Sequence, residues 1–294
     1  MTTSFDLNTE IKNIVDSRMS AADKNAALLK IGLRPQDLML LGFKQSISRK
    51  STTLKIGRYT FGVEIECVNA ERYALIDAVL QKGVDIAFDG YTHETKKRFK
   101  LVTDSSLCGS NTIECVSPVI STKKQENDLK AVCEALSAIG ASVNSSCGLH
   151  VHIGAEKMSA QQYINIFKNY QKCEAIIDSF MPQSRRNSRW CRPLRSFNFD
   201  RCETISDVAS TMYHDRYYKV NPCSYNRHKT VEFRQHSGTT NYKKIIMWVQ
   251  FLKELVDYSK ENVIAVSPRT IDDLTFVSAS VKTYLKRRAT ELAR

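Results

Sequence analysis

Apolar and polar positions alternate with a period of two through Phe61–Gly62–Val63–Glu64–Ile65–Glu66–Cys67. The spacing predicts a strand with Phe61, Val63 and Ile65 on one face and both glutamates on the other. Asn69 is placed to cap a helix running to Gln81, closed by Gly83. Strands are expected at 84–88, 99–104 and 112–117, the last ended by Pro118. Leu129, Val132, Leu136 and Ile139 recur at helical spacing and predict a helix over 124–139. Residues 148–153 alternate again, with Leu149, Val151 and Ile153 opposite His150 and His152. Ser159 opens a long helix to Phe180 whose buried stripe is Tyr163, Ile166, Phe167, Tyr170 and Ile177. A strand over 229–235 places Val231 and Phe233 inward and Glu232, Arg234 and His236 outward. A helix over 242–258 is apolar almost all round and belongs at the centre, and a last one is expected over 271–288. Hairpin-length strands with long helices between them indicate an α+β fold, a mainly antiparallel sheet covered on one face by helices.

The first 55 residues follow another pattern. Ser20 caps Ala21 to Ile31, Gly32 ends that helix, and Pro35 leads a short second one from Gln36 to Leu41. The outline is that of a helix-turn-helix, read here as a helical extension rather than a DNA reader. Gln45 to Lys55 is Ser/Thr/Lys-rich, and marks a linker. The expected organisation is an extension and linker over 1–55 and a main domain over 56–294.

Composition narrows the class. The chain has 294 residues, 42% hydrophobic and 25% charged, which excludes wholesale disorder. A net charge of +12 favours polyanionic partners, whether nucleic acid, an anionic surface or a phosphorylated small molecule. No apolar run approaches the ~18–20 residues that span a bilayer. The first residues lack a basic-then-apolar leader, so a cytoplasmic location is expected. Nine dispersed cysteines read as free thiols in a reducing compartment, with Cys67, Cys115 and Cys133 in core positions.

The second faces of the strands carry the chemistry. If they share a sheet, Glu64, Glu66, Glu114 and Glu232 crowd like charges, which is costly unless cations neutralise them. Carboxylate oxygens with an imidazole suit Mg²⁺ or Mn²⁺. Asp104 ends the 99–104 strand on the same face. The complement is positive: Arg185, Arg186, Arg189, Arg192, Arg195 and Arg201 interleave with Trp190, Phe197 and Phe199, and Arg216, Lys219, Arg227, Lys229 and Arg234 follow. Arginine forks match phosphate geometry, and carboxylate-bound metal facing arginines suits a nucleoside triphosphate. Neither a P-loop nor G-x-G-x-x-G occurs.

GVEIE (62–66), TDSSL (103–107), IECVSP (113–118), SCGLHVHI (146–153), SRRNSRWC (184–191) and TVEFRQHSGT (230–239) resemble, in this order, the amidoligase family, carboxylate–amine ligases related to glutamine synthetase and glutamate–cysteine ligase. The resemblance spans about Tyr59 to Ser259. It implies a curved antiparallel sheet forming a funnel for ATP and two or three Mg²⁺. By motif, it implies Glu64, Glu66, Glu114, His150 and Glu232 as metal ligands, with Asp104 the candidate for a second acidic ligand beside Glu114. It further implies His152 as a phosphate or substrate contact and Arg234 on the transferred phosphate. Arg189 joins Arg234 and Glu232 in the catalytic set, and Arg185, Arg186, Lys219 and Asn221 join the nucleotide-binding set. The implied reaction is ATP-dependent amide formation through an acyl phosphate, on an amino acid or peptide carboxylate.

Two other readings are carried. A zinc hydrolase would use Cys147-x-x-His150-x-His152 with Cys108 or Cys115. A nucleic-acid-binding protein would use the basic surface and the N-terminal helices. Tyr91 and His93 are candidate substrate contacts or members of a solvated loop, and His214 and His228 have no assignment.

Overall fold

Seven strands in the order β2-β3-β4-β1-β5-β7-β6 form one open sheet in a computed structural model of the chain. It describes residues 7–19, 24, 27, 28, 30, 31 and 59–293. The chain divides into two compact units, Met1–Leu54 and Lys55–Arg294. In the first, α1 spans Leu7–Asp16, and residues 24, 27, 28 and 30 are helical. The predicted second helix at 36–41 and the linker at 45–55 lie outside the described residues.

In the second unit, β1 (Phe61–Cys67) is central, paired antiparallel with β4 (Ile113–Val116) and β5 (Gly148–Gly154). β7 (Thr230–Ser237) continues the sheet from β5, and β6 (Val220–Asn221) forms one edge. At the other edge β2 (Ile86–Gly90) runs parallel to β3 (Phe99–Val102), which is antiparallel to β4. The architecture is α+β with a mostly antiparallel open sheet, as the alternation indicated.

Helices cover one face. α2 (Arg72–Leu80), α3 (Lys123–Ala138), α4 (Ala160–Ser179) and α7 (Tyr242–Ser259) supply most of the layer. Val63, Ile65, Leu149, Val151, Ile153, Val231 and Phe233 are buried beneath it. Each fully buried aliphatic or aromatic side chain of this kind contributes about 1.5–3 kcal/mol. α7 is buried on nearly every side, through Trp248, Val249, Phe251, Leu252 and Val256 among others, which matches the central position expected of it. Capping boxes fix the starts of α3 (Thr122 with Gln125) and α4 (Ser159 with Gln162).

Three expectations are corrected. Asn69 does not cap α2: it adopts φ 55° and its amide donates to Ser142 Oγ at 2.9 Å. The cap is Glu71, whose carboxylate accepts from the N–H groups of Tyr73 and Ala74. The last helix does not begin at Ile271. Asp273 accepts from the Arg269 and Thr270 N–H groups, closing one 3₁₀ turn over Ile271–Asp273, and α8 starts afresh at Ala279–Leu292. Finally, His236 does not share the face of Glu232 and Arg234. Leu149 faces His236 while Val151 faces Phe233, so three residues of β7 span two of β5. That bulge shifts the alternation by one residue and turns His236 toward α7, 5.6 Å from the Trp248 ring. Short α5 (Ile205–Thr211), α6 (Ser224–His228) and β6 carry too little periodicity to read from sequence. Among the described residues no helix is long and apolar enough to cross a membrane.

Candidate active site

The uncovered face of β4-β1-β5-β7 gathers the acidic and imidazole side chains. Pairing puts Glu66 opposite Glu114, Glu64 opposite His150, and His152 opposite Glu232, with Asn221 beyond it on β6. Glu64 is the hub. Its Oε2 lies 2.9 Å from His150 Nδ1 and its Oε1 3.2 Å from His152 Nε2. The other nitrogen of His152 contacts Thr230 Oγ1 at 2.9 Å. Glu66 accepts from the Gly148 N–H at 2.5 Å and approaches His150 Nε2 at 3.5 Å. Glu232 is held at both oxygens, by Asn221 Nδ2 and by Arg234 Nη1, each at 2.5 Å. Asp104 borders the same cavity, its Oδ1 accepting from the Ser106 N–H.

Charge is unevenly distributed over this cluster. Burial and then the charges of Glu64 and Glu66 hold the Glu114 carboxyl well above the usual range. Glu64 moves the opposite way: burial opposes its charge, but the hydrogen bonds and charges of His150 and His152 outweigh it. His152 is raised, since Glu64 and Glu232 outweigh the burial that disfavours an imidazolium. Glu232 is lowered, Arg234 and His152 outweighing burial. One acid raised beside others that are lowered is what a carboxylate cluster does when no cation compensates it.

Two groups of donors fit a divalent cation. Glu64, His152 and Glu232 form one; Glu64, Glu114 and His150 form the other, with ligand atoms within 4.8 Å of each other in each. Two carboxylates and one imidazole per group suit Mg²⁺ or Mn²⁺. The floor beneath is tight: a Cβ on Gly148 would lie 2.8 Å from Arg185 Nη2, 3.0 Å from His150 Nε2 and 3.3 Å from Glu66 Oε2. No thiol joins either group. Cys115 faces the core, Cys108 is exposed, and Cys147 is buried with Val68 and Leu107. Burial lifts the Cys67 and Cys133 thiols to about 12. The zinc–thiolate reading has no support in this arrangement.

A cavity of about 400 Å³ opens over the cluster, with Arg216, Arg227 and Arg234 on its wall. A second, of about 360 Å³, adjoins it toward Lys100, and Glu64, Glu114, His93, His152 and His228 border both. Lys100 is buried and donates to the carbonyls of Thr92 and Glu94, which pins the β2–β3 loop. Tyr91 and His93 of that loop are 3.0 Å apart at the rim. Across the opening, Thr95 Oγ1 meets His228 Nδ1 at 3.3 Å, and the His228 ring meets that of His152 edge-on. His228 and Lys100 carry no sequence signal of this role: one is the last residue of a short helix, the other occupies a strand position that a solvated lysine would equally fill.

Of the residues singled out from sequence, the structure brings Glu64, Glu66, Glu114, His150, His152, Glu232, Arg234, Asn221 and Asp104 together. Arg185 reaches the floor and spends its donors on the bulge, bonding the carbonyls of Arg234 and Gln235. Arg186 bonds the Met181 carbonyl, and Arg189 is exposed over Trp190. Lys219 is fully buried against α4, its Nζ 2.7 Å from both Glu174 and Asp178. These last three lie apart from the carboxylate cluster.

Residues 57–256 match the sequence profile of the family described as "Putative amidoligase enzyme". The match spans more than half of the chain, which belongs to that family. No curated protein matches the chain.

Proposed function

We propose that this amidoligase-family chain is an ATP-dependent carboxylate–amine ligase working through an acyl phosphate, with a small molecule or peptide as substrate. The observation that carries the reading is the single sheet face on which Glu64, Glu66, Glu114 and Glu232 meet His150 and His152 below Arg216, Arg227 and Arg234. The proposal extends to architecture: the sheet is taken as the curved sheet of glutamine synthetase and glutamate–cysteine ligase, and residues 56–294 as the catalytic domain.

A carboxylate is a poor electrophile, and phosphorylation corrects that. Its oxygen attacks the γ-phosphorus of ATP, ADP departs, and the acyl phosphate gains a leaving group. An amine then attacks the acyl carbon, phosphate leaves, and a proton is lost from nitrogen. Divalent cations held by the two Glu/His groups would supply charge neutralisation at the phosphates. Arg234 is pre-oriented by Glu232 to meet the transferred phosphoryl group; burial opposes its charge, but the Glu232 carboxylate that it bonds outweighs burial and keeps it charged. Arg216 and Arg227 guide the triphosphate from the rim. Asn221 fixes the Glu232 carboxylate, and Thr230 fixes the ring of His152, so neither side chain reorganises as charge develops.

The test is phosphate release from ATP with Mg²⁺ or Mn²⁺ across a panel of amino acids, with hydroxylamine as the amine so that an acyl phosphate appears as hydroxamate. Release dependent on one carboxylate and abolished in Glu64→Gln supports the reading. Absence of both ATP binding and hydroxamate overturns it.

A further inference from the structure

The arginine run divides in the folded chain. Arg185 and Arg186 turn inward onto backbone carbonyls, while Arg189 stays at the surface with its guanidinium 4.7 Å from the centroid of Trp190. Trp190 meets Tyr217 edge to face, ring centroids 5.2 Å apart. Tyr217 in turn lies under Arg216 at 5.0 Å and Arg234 at 5.9 Å, and both arginines border the large cavity. Guanidinium and ring therefore alternate without a break from solvent to the cavity. The two segments are tied by backbone: Arg192 N–H donates to Tyr217 O at 2.9 Å, and Lys219 N–H to Arg192 O at 3.0 Å. Asp215, the nearby carboxylate, is engaged by Arg192. Among the described residues no carboxylate pairs with Arg189 or Arg216.

We propose that this wall docks a single nucleic-acid strand and leads it to the mouth of the cavity. Three features favour a polynucleotide. The cations are arginines, whose planar forks bind phosphate bidentately and stack on bases. They alternate with rings, and ring faces attract bases while contributing little to an acidic peptide. Trp190 and Tyr217 are half-buried, so each is held from behind and has little freedom to lose when a base stacks on it. A single strand is favoured over a duplex because stacking on a side chain requires an unpaired base face. The inference does not depend on ligase activity.

The protein carries its own probe. It has two tryptophans, and Trp248 is buried against Phe251, so a ligand at the wall quenches Trp190. The full chain is titrated with labelled oligothymidylate and oligouridylate of about ten nucleotides, followed by anisotropy and intrinsic emission. Expected are quenching, affinity that falls linearly in log salt, and a loss of about five- to a hundredfold in Trp190→Ala. Arg189→Gln should flatten the salt slope by about one phosphate contact. Trp190→Phe keeps a ring and should retain binding while losing the quench. Three results overturn the proposal: no binding at low salt, equal binding to a polyglutamate peptide with no effect of Trp190→Ala, or quenching by ATP alone with which the oligonucleotide does not compete. The last would make the wall a seat for a mononucleotide.

Discussion

Glu114→Gln separates the crowding of carboxylates from their proposed use as metal ligands. Oxygens of Glu64 and Glu114 lie within 4.8 Å of one another. At an effective dielectric of about 20, two full charges at that distance repel by about 3.5 kcal/mol. Without metal the protein avoids much of this by raising the Glu114 carboxyl, so that it holds its proton to higher pH, burial and then the Glu64 and Glu66 charges being the causes. A carboxyl raised in the folded state binds its proton more tightly there than in the unfolded chain, where it titrates near about 4.3. Below that pH both states hold the proton and nothing is lost. As pH rises above it the unfolded chain releases the proton first, and stability declines until the folded carboxyl also ionises. Glutamine keeps the shape and removes the decline. In EDTA the variant should match the wild type near about pH 4 and exceed it by about 1–3 kcal/mol near about pH 8. In a unit of this size that raises the melting temperature by roughly 2–4 °C per kcal/mol. With Mn²⁺ the order should reverse, because a lost ligand weakens uptake and the stabilisation it brings. Thermal unfolding across pH, with and without Mn²⁺, measures both. A variant that melts below the wild type in EDTA at the alkaline end, or a difference indifferent to pH, refutes the crowding.

Metal uptake should expel protons, since both Glu114 and His152 are raised in the free protein, so apparent affinity climbs with pH. Calorimetry in buffers of different ionisation enthalpy counts those protons, and a pH-independent affinity contradicts the assignment. Lys219→Met strands Glu174 and Asp178 without their buried cation and should cost about 3–5 kcal/mol, while leaving Mn²⁺ affinity unchanged. Weakened Mn²⁺ binding at unchanged melting temperature would instead place Lys219 in the site. Gly148→Ala forces a methyl toward Arg185 and His150, costs about 1–3 kcal/mol and loosens the metal groups; wild-type melting and metal uptake in that variant would refute the close approach.

Much of the cluster was legible because strand alternation is a local rule. Two glutamates two residues apart, or two histidines, must share a face, and aliphatics between them say which face is dry. Glu64, Glu66, His150, His152, Glu114 and Glu232 follow from that alone. His236 did not, because a bulge adds one residue to a ladder without marking the sequence that carries it. Lys219 escaped for another reason: its partners sit on α4, 45 and 41 positions away, and nothing near it in sequence announces a buried carboxylate pair. The arginine run looked uniform and is divided by backbone geometry: Arg185, Arg186 and Arg192 bond backbone carbonyls, while Arg189 stays exposed over Trp190.

The sheet order has a consequence for how the protein comes into being. The four strands that carry the cluster are neighbours in space, β4-β1-β5-β7, yet no hairpin joins β1 to β5 or β5 to β7. Glu64 reaches His150 across 86 residues, and His152 reaches Thr230 across 78. Each closure costs chain entropy before any contact returns it, so folding of this unit should be slow and should pass its barrier with long loops already closed. No fragment ending before β7 contains the Glu64, His152 and Glu232 group. On the ribosome, that group comes into existence only after the chain has been made through residue 237.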